Sequence, residues 1–192
     1  MNLEGLTLHI LTNKLKEELL GGKIYKVFMP SYESLLLLVK RERDTAALLA
    51  DFSCGSPMLY LPNNLPERPE SPPAFCMLLR KHLVGARVAE ITQPGLERLV
   101  RIELDVTDDF GQPGHRTLVL EAMGRRSNLI LLDGENRVID CMRRVDAEMS
   151  AARQVLPGLF YEPPASTGRL PFLEETEEGL AEKLAQVNPE IQ

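Results

Sequence analysis

The chain has 192 residues and carries 22 Lys and Arg against 28 Asp and Glu, a formal net charge of −6. Bulk charge therefore excludes a generically cationic protein that coats nucleic acid, but not one with a local basic patch. At 44% hydrophobic and 26% charged the composition is globular, no apolar run is long enough to span a bilayer, and Met1-Asn2-Leu3-Glu4 lacks the parts of an export signal, so a cytoplasmic protein is expected.

Leu6, Ile10, Leu11, Leu15 and Leu19 recur at steps of three and four, which predicts a first amphipathic helix with Gly21-Gly22 as its stop. Four short apolar runs follow, at 23–28, 34–40, 46–52 and 58–61, each bounded by Pro, Gly, Asn, Ser or charge. They read as an antiparallel meander. The segment 62–73 holds five prolines and reads as a stiff extended connection. A second helix is predicted after Pro73, with Phe75, Leu78, Leu79, His82 and Leu83 on one face and Gly85 as its stop. Five further strands are expected at 87–92, 97–106, 116–122, 129–132 and 137–142. The order predicts an α+β fold of two small antiparallel sheets packed together with two helices, although no sequence repeat aligns the two halves. Residues 163–192 hold two basic and six acidic side chains and read as the start of a linker or a following domain.

Cys54, Cys76 and Cys141 are odd in number and form no CxxC pair, so they read as reduced structural thiols. His9, His82 and His115 show no metal-ligand spacing, and no metal or cofactor is expected. Neither a Walker loop nor GxSxG or GxGxxG is present, no carboxylate pair is marked out for hydrolysis, and the chain reads as a binding domain without enzymatic activity.

Three patterns stand above this background. Residues 76–101 hold five basic against two acidic side chains, among them Arg80, Lys81 and Arg87. Such a stretch is either a solvated helix face or a patch that meets phosphate. In the strand after Pro94-Gly95, alternation places Arg98 at the head of the otherwise apolar row Val100, Ile102, Leu104 and Val106. An arginine there either pairs with a carboxylate such as Glu97 or Glu121, or presents its planar guanidinium to phosphate or a base. Arg125 and Arg126, beside Gly124, Ser127 and Asn128, form either a plain charged turn or a phosphate cradle.

The run Ser71-Pro72-Pro73-Ala74-Phe75-Cys76-Met77-Leu78-Leu79-Arg80-Lys81-His82-Leu83 resembles the signature helix of the NFACT family of ribosome-associated quality-control factors. Gly21-Gly22-Lys23-Ile24, Gly95-Leu96-Glu97-Arg98, the run from Glu121 to Leu132, Val155-Leu156-Pro157-Gly158 and Tyr161-Glu162-Pro163-Pro164 agree in order, so the resemblance covers about residues 1–165. It implies an N-terminal NFACT domain over 1–165, with 166–192 as an acidic linker or the start of the next helical domain. It also implies a fold similar to the N-terminal domain of formamidopyrimidine-DNA glycosylases. The family's function would be to bind large ribosomal subunits carrying a stalled peptidyl-tRNA and to recruit tRNA, mainly alanyl-tRNA, for template-free tailing of the nascent chain. The family's Asp-Arg motif for tRNA handling falls on Glu97-Arg98, with an acid one methylene longer. Glycosylase chemistry is not expected, because that group uses an N-terminal proline amine and this sequence begins Met1-Asn2. Members are also labelled fibronectin-binding proteins, which makes adhesion, with fibronectin as partner, a secondary reading.

Overall fold

A computed structural model describes residues 3–42, 44–67, 69–107 and 110–165. The acidic segment expected at 166–192 lies outside them.

Helix α1 (Gly5–Leu19) buries Gly5, Leu8, Thr12, Leu15 and Leu19. This differs from the predicted stripe: Leu6 and Ile10 are 51% and 65% exposed. Both rows have helical spacing, and a close approach decides between them. A Cβ on Gly5 would stand 2.0 Å from the Leu96 carbonyl oxygen, so the helix start is seated against the 93–98 loop and its rotation follows from that contact. The buried Thr12 hydroxyl is satisfied by donating to the Leu8 carbonyl at 2.7 Å. Helix α2 (Ala74–Leu83) buries Cys76, Leu79 and Leu83, with Pro73 just before its first turn.

The strands are β1 (Lys23–Phe28), β2 (Ser34–Lys40), β3 (Thr45–Asp51), β4 (Met58–Tyr60), β5 (Arg87–Thr92), β6 (Leu99–Thr107), β7 (Pro113–Glu121), β8 (Asn128–Leu132) and β9 (Val138–Cys141). They form one antiparallel nine-stranded sheet in the order β4-β3-β2-β1-β5-β6-β7-β8-β9, not the two sheets expected from sequence. Four backbone hydrogen bonds join the halves at a β1/β5 seam. The Gly21 N–H donates to the Val88 carbonyl at 2.8 Å and the Gly85 N–H to that of Ile24 at 2.7 Å. The Ile24 N–H donates to Ala86 at 2.8 Å and the Val88 N–H to Gly22 at 2.9 Å. Gly21 and Gly85, at φ of 74° and 95°, turn each chain from its helix directly into the seam, which a side chain at either position would resist.

These bonds are reciprocal, and exchanging the halves maps each onto its mate. The correspondence continues outward. β1 and β5 share a bulge, between Ile24 and Lys26 and between Val88 and Glu90. Leu38 opposite Ala47 matches Glu103 opposite Thr117, and Ser34 opposite Asp51 matches Leu99 opposite Glu121. A single helical turn follows β3 at Ser53–Gly55 and β7 at Gly124–Arg126. The domain is thus two copies of one helix-plus-four-strand unit related by a pseudo-two-fold axis, with β9 added to the second. The repeat escaped the sequence because equivalent outward positions hold different residue types.

The halves close over one core of side chains from both helices and strands of both units. At the closed end the two helical turns touch, and an added Cβ on Gly124 would stand 3.4 Å from the Gly55 carbonyl oxygen. Across the outer face of the second unit runs a strap, residues 143–165, whose Val155 and Tyr161 pack on Leu99, Val119, Ile130 and Cys141.

Candidate functional site

The loop carrying Glu97 and Arg98 joins β5 to β6 and is held from both sides. The Gln93 amide group donates to the carbonyls of Gly5 at 2.9 Å and Glu97 at 2.8 Å, tying the loop to the start of α1. Gln93 Oε1 is buried without a hydrogen-bond partner among the described residues. The Glu97 N–H donates to Pro94 across the turn at 3.0 Å, and the Ala122 N–H donates to the Arg98 carbonyl at 2.8 Å. The backbone of Arg98 is therefore fixed while its half-buried side chain stands at the rim of the core-facing row, as alternation predicted.

Of the two carboxylates considered as its ion-pair partners, Glu121 is committed elsewhere. Glu121 is 1% exposed on the opposite face of the sheet. There it accepts from Arg153 Nη2 at 2.5 Å and Nη1 at 3.2 Å, and from the Tyr161 hydroxyl at 2.8 Å. Burial, then the neighbouring Glu121 charge, pushes the Tyr161 hydroxyl well above the usual tyrosine range, so it stays a donor. No ion pair joins Arg98 to a carboxylate among the described residues.

Arg125 and Arg126 lie on the turn after β7, three and four residues beyond the Ala122 that is bonded to Arg98, and both are exposed. The fold thus gathers Arg98, Arg125 and Arg126 at the closed end. Arg143, which sequence reasoning missed, completes the group: its Nη1 donates to the Arg125 carbonyl while its Nη2 pairs with Glu33 of the first unit. No sequence motif marks Arg143, which lies between the Glu121 to Leu132 run and the motif that begins at Val155.

The other predicted residues are placed elsewhere. Arg80 donates from Nε to the Val27 carbonyl at 2.9 Å and lies 5.5 Å from the Phe28 ring centroid, so it fastens α2 to β1. Lys81 is exposed one position further on, and its charge helps, after burial and Arg116, to hold the His82 imidazole below its ordinary range. Arg87 sits at the seam, where Nη1 donates to the Gly21 carbonyl at 2.8 Å, at the opposite end of β5 from the Arg98 loop.

A second polar cluster lies on the outer face of β6 and β7. Glu103 accepts from Arg101 Nε at 3.0 Å, His115 Nε2 at 2.8 Å and the Thr117 hydroxyl at 2.5 Å. Burial alone would raise the Glu103 carboxyl, but the Thr117 and His115 hydrogen bonds and the Arg101 charge outweigh it and hold the group below the usual carboxylate range. Among the described residues no group of three or more His, Cys, Asp or Glu is arranged to hold a metal ion. Cys76 and Cys141 are buried free thiols, and burial followed by Asp140 pushes Cys141 up to about 12, which leaves it little thiolate at neutral pH. No helix among the described residues is long and apolar enough to cross a membrane.

The arrangement offers a fixed backbone, a guanidinium at the rim with no carboxylate partner among the described residues, and exposed arginines nearby. That is the chemistry of anion and phosphate contact. A family model described as NFACT N-terminal and middle domains matches residues 4–192. The Rqc2 homolog RqcH of Bacillus subtilis is 31% identical over 186 residues, covering 96% of this chain and 33% of that protein. The ribosome quality control complex subunit 2 of Saccharomyces cerevisiae is 30% identical over 146 residues, 76% of this chain and 13% of that one. The chain thus spans about a third of the length of the bacterial relative. Among solved structures, the N-terminal domain of the fibronectin-binding protein PavA from Streptococcus pneumoniae superposes with a TM-score of 0.89 at 30% identity, covering 95% of this chain and 69% of that one. The N-terminal part of the fibronectin/fibrinogen-binding protein of Streptococcus suis gives 0.90 at 30% identity, with 96% and 69% covered.

Proposed function

The chain belongs to the NFACT family, and on that footing we propose that it is the RNA-binding N-terminal domain of a cytoplasmic ribosome quality-control factor, with its interface at the closed end around Arg98. One observation carries the reading: the Arg98 guanidinium has no carboxylate partner among the described residues, and the fold holds it at the same end as the exposed Arg125 and Arg126. Arg98 contacts tRNA, Glu97 shapes the approach from the same turn, and Arg125 and Arg126 meet backbone phosphate. The whole factor binds the large ribosomal subunit and recruits tRNA, alanyl-tRNA in the bacterial branch, for tailing. The domain acts by binding and not by catalysis, and needs no cofactor. In this reading Arg80 and Arg87 serve to fix helix and seam.

The test is titration of the chain with tRNA at several salt concentrations. Log affinity should fall linearly with log salt, with a slope of about −0.7 to −0.9 for each phosphate neutralised. A flat response would remove phosphate contact from the account. A second reading, adhesion to fibronectin, is favoured by the names of the streptococcal proteins whose N-terminal domains superpose. Saturable retention on immobilised fibronectin together with no affinity for tRNA would put it first.

A further inference from the structure

The pseudo-two-fold relation shows where the first unit is incomplete. In the second unit β8 is followed by a tight turn at 133–136 and β9 returns alongside it. Ile130 lies opposite Cys141 and Leu131 opposite Asp140, and the Met142 N–H donates to the Leu129 carbonyl at 2.8 Å. From this strand Ile139 and Met142 pack against the main core, while Val138 and Cys141 join the outer-face cluster. In the first unit the equivalent of β8 is β4, with Leu59 matching Leu129 and Tyr60 matching Ile130, as their pairing with Ala50, Leu49, Leu120 and Val119 shows. Pro62 stands where β8 has Leu132. Proline has no N–H for a ladder, and the chain departs along the proline-rich connection instead of turning back. β4 is consequently the terminal strand of the sheet order.

The place that β9 fills in one unit is an apolar groove in the other. It has a volume of about 660 Å³ and is lined by Leu3, by Ile10 and Leu11 of α1, and by Met58, Leu59 and Tyr60 of β4, among others. Ile10, Met58 and Tyr60 are 65%, 48% and 41% exposed, a cluster of large apolar side chains beside a strand edge that pairs with no further strand among the described residues. Soluble domains blunt such edges or cover them. Here Pro57 and Pro62 limit the edge to a short stretch but leave the Leu59 carbonyl, the counterpart of the Leu129 acceptor, on the open side. The domain's own second unit supplies the template for what fits.

We propose that the open edge of β4 and the groove beside it are a docking site for an extended segment of a partner polypeptide, which adds a tenth strand antiparallel to β4. The segment carries aliphatic side chains three positions apart, matching Ile139 and Met142, and its amide at the second of them donates to the Leu59 carbonyl. Backbone pairing supplies affinity, and the groove supplies selectivity for aliphatic over charged side chains. This site is separate from the arginines at the closed end and stands whether or not those contact RNA.

The probe is a capped peptide with the sequence of residues 137–143 bearing Cys141→Ser, titrated into the isotopically labelled 192-residue chain. Saturable amide shifts at Leu59, Tyr60, Leu61 and Ile10 are expected. A peptide methylated on the nitrogen at the Met142 position should lose this binding, because it lacks the donor. The chain variant Ile10→Asp, at an exposed position, should keep its melting temperature and bind about tenfold more weakly. Absence of shifts at β4, equal binding of the methylated peptide, or a dimer of the chain alone that buries the same residues would overturn the proposal.

Discussion

The two units share a backbone plan and divide the work between them. At the head of β2 the first unit has Glu33, whose carbonyl accepts from Phe52 and whose carboxylate pairs with Arg143. At the equivalent point before β6 the second has Arg98, whose carbonyl accepts from Ala122 in the same way but whose guanidinium is left without an ion-pair partner among the described residues. One step outward, Leu36, Leu38 and Leu49 form a buried apolar cluster on the first unit. Their counterparts on the second are Arg101 and Glu103, part of a hydrogen-bonded polar face, and Val119, which is buried in the apolar cluster under the strap. Symmetry supplies the frame, and Arg98, a polar residue that departs from it with no ion-pair partner among the described residues, is the one the proposed function draws on.

The largest expected effect separates the units at Asp51 and Glu121, which occupy equivalent places. Glu121 is buried under the strap, and Arg153→Ala would leave its charge without its bidentate partner. A loss of about 3–5 kcal/mol is expected for such a break, read as a fall in the denaturation midpoint. Asp51 is half-buried and accepts from the Ser53 N–H at 2.9 Å. Asp51→Ala should lower stability by only about 1 kcal/mol. Equal losses would show that the strap does not hold the second unit.

An intermediate effect is expected at Gly5. Gly5→Ala would drive a methyl into the Leu96 carbonyl and displace the Arg98 loop, at a cost of about 1–3 kcal/mol, with RNA affinity falling alongside stability. Gly134→Ala, where the nearest atom to an added Cβ is at 3.7 Å, serves as the control with space to spare.

The smallest effect is one of pH. Glu103 and His82 both have folded pKa values below their ordinary ones. A lowered folded pKa means that the unfolded chain binds protons first, so stability is present above the unfolded pKa and is lost as pH falls. The His82 part should fade as pH drops below 6.5 and the Glu103 part below 4.5. Thr117→Val should flatten the acid limb without moving the upper one, as read by denaturation midpoints across that range.

Much of the fold was legible because turn chemistry and alternation are local. The limits of β1, β2 and β5 agree with the expected runs, and Gly21 and Gly85 end the helical stretches where sequence placed the stops. The single sheet was not legible, because the seam rests on four backbone bonds that carry no side-chain signal. Helix rotation was misjudged at Leu6 and Ile10, since a contact with Leu96, remote in sequence, chose between two apolar rows. At the site, the rim position of Arg98 could be read from alternation. The employment of Arg80 and Arg87 by main-chain carbonyls could not, because an acceptor on a distant backbone leaves no mark in the sequence.

The central claim is that the closed end, and not the seam, carries the RNA interface. Its most direct test compares Arg98→Ala with Arg87→Ala for tRNA affinity at fixed salt, with melting temperature measured on both. Arg98→Ala should weaken binding about tenfold or more and reduce the salt slope by about 1, while stability changes by no more than about 0.5 kcal/mol. Arg87→Ala should leave affinity intact. Undiminished tRNA binding by Arg98→Ala, or a larger loss from Arg87→Ala, would contradict the account.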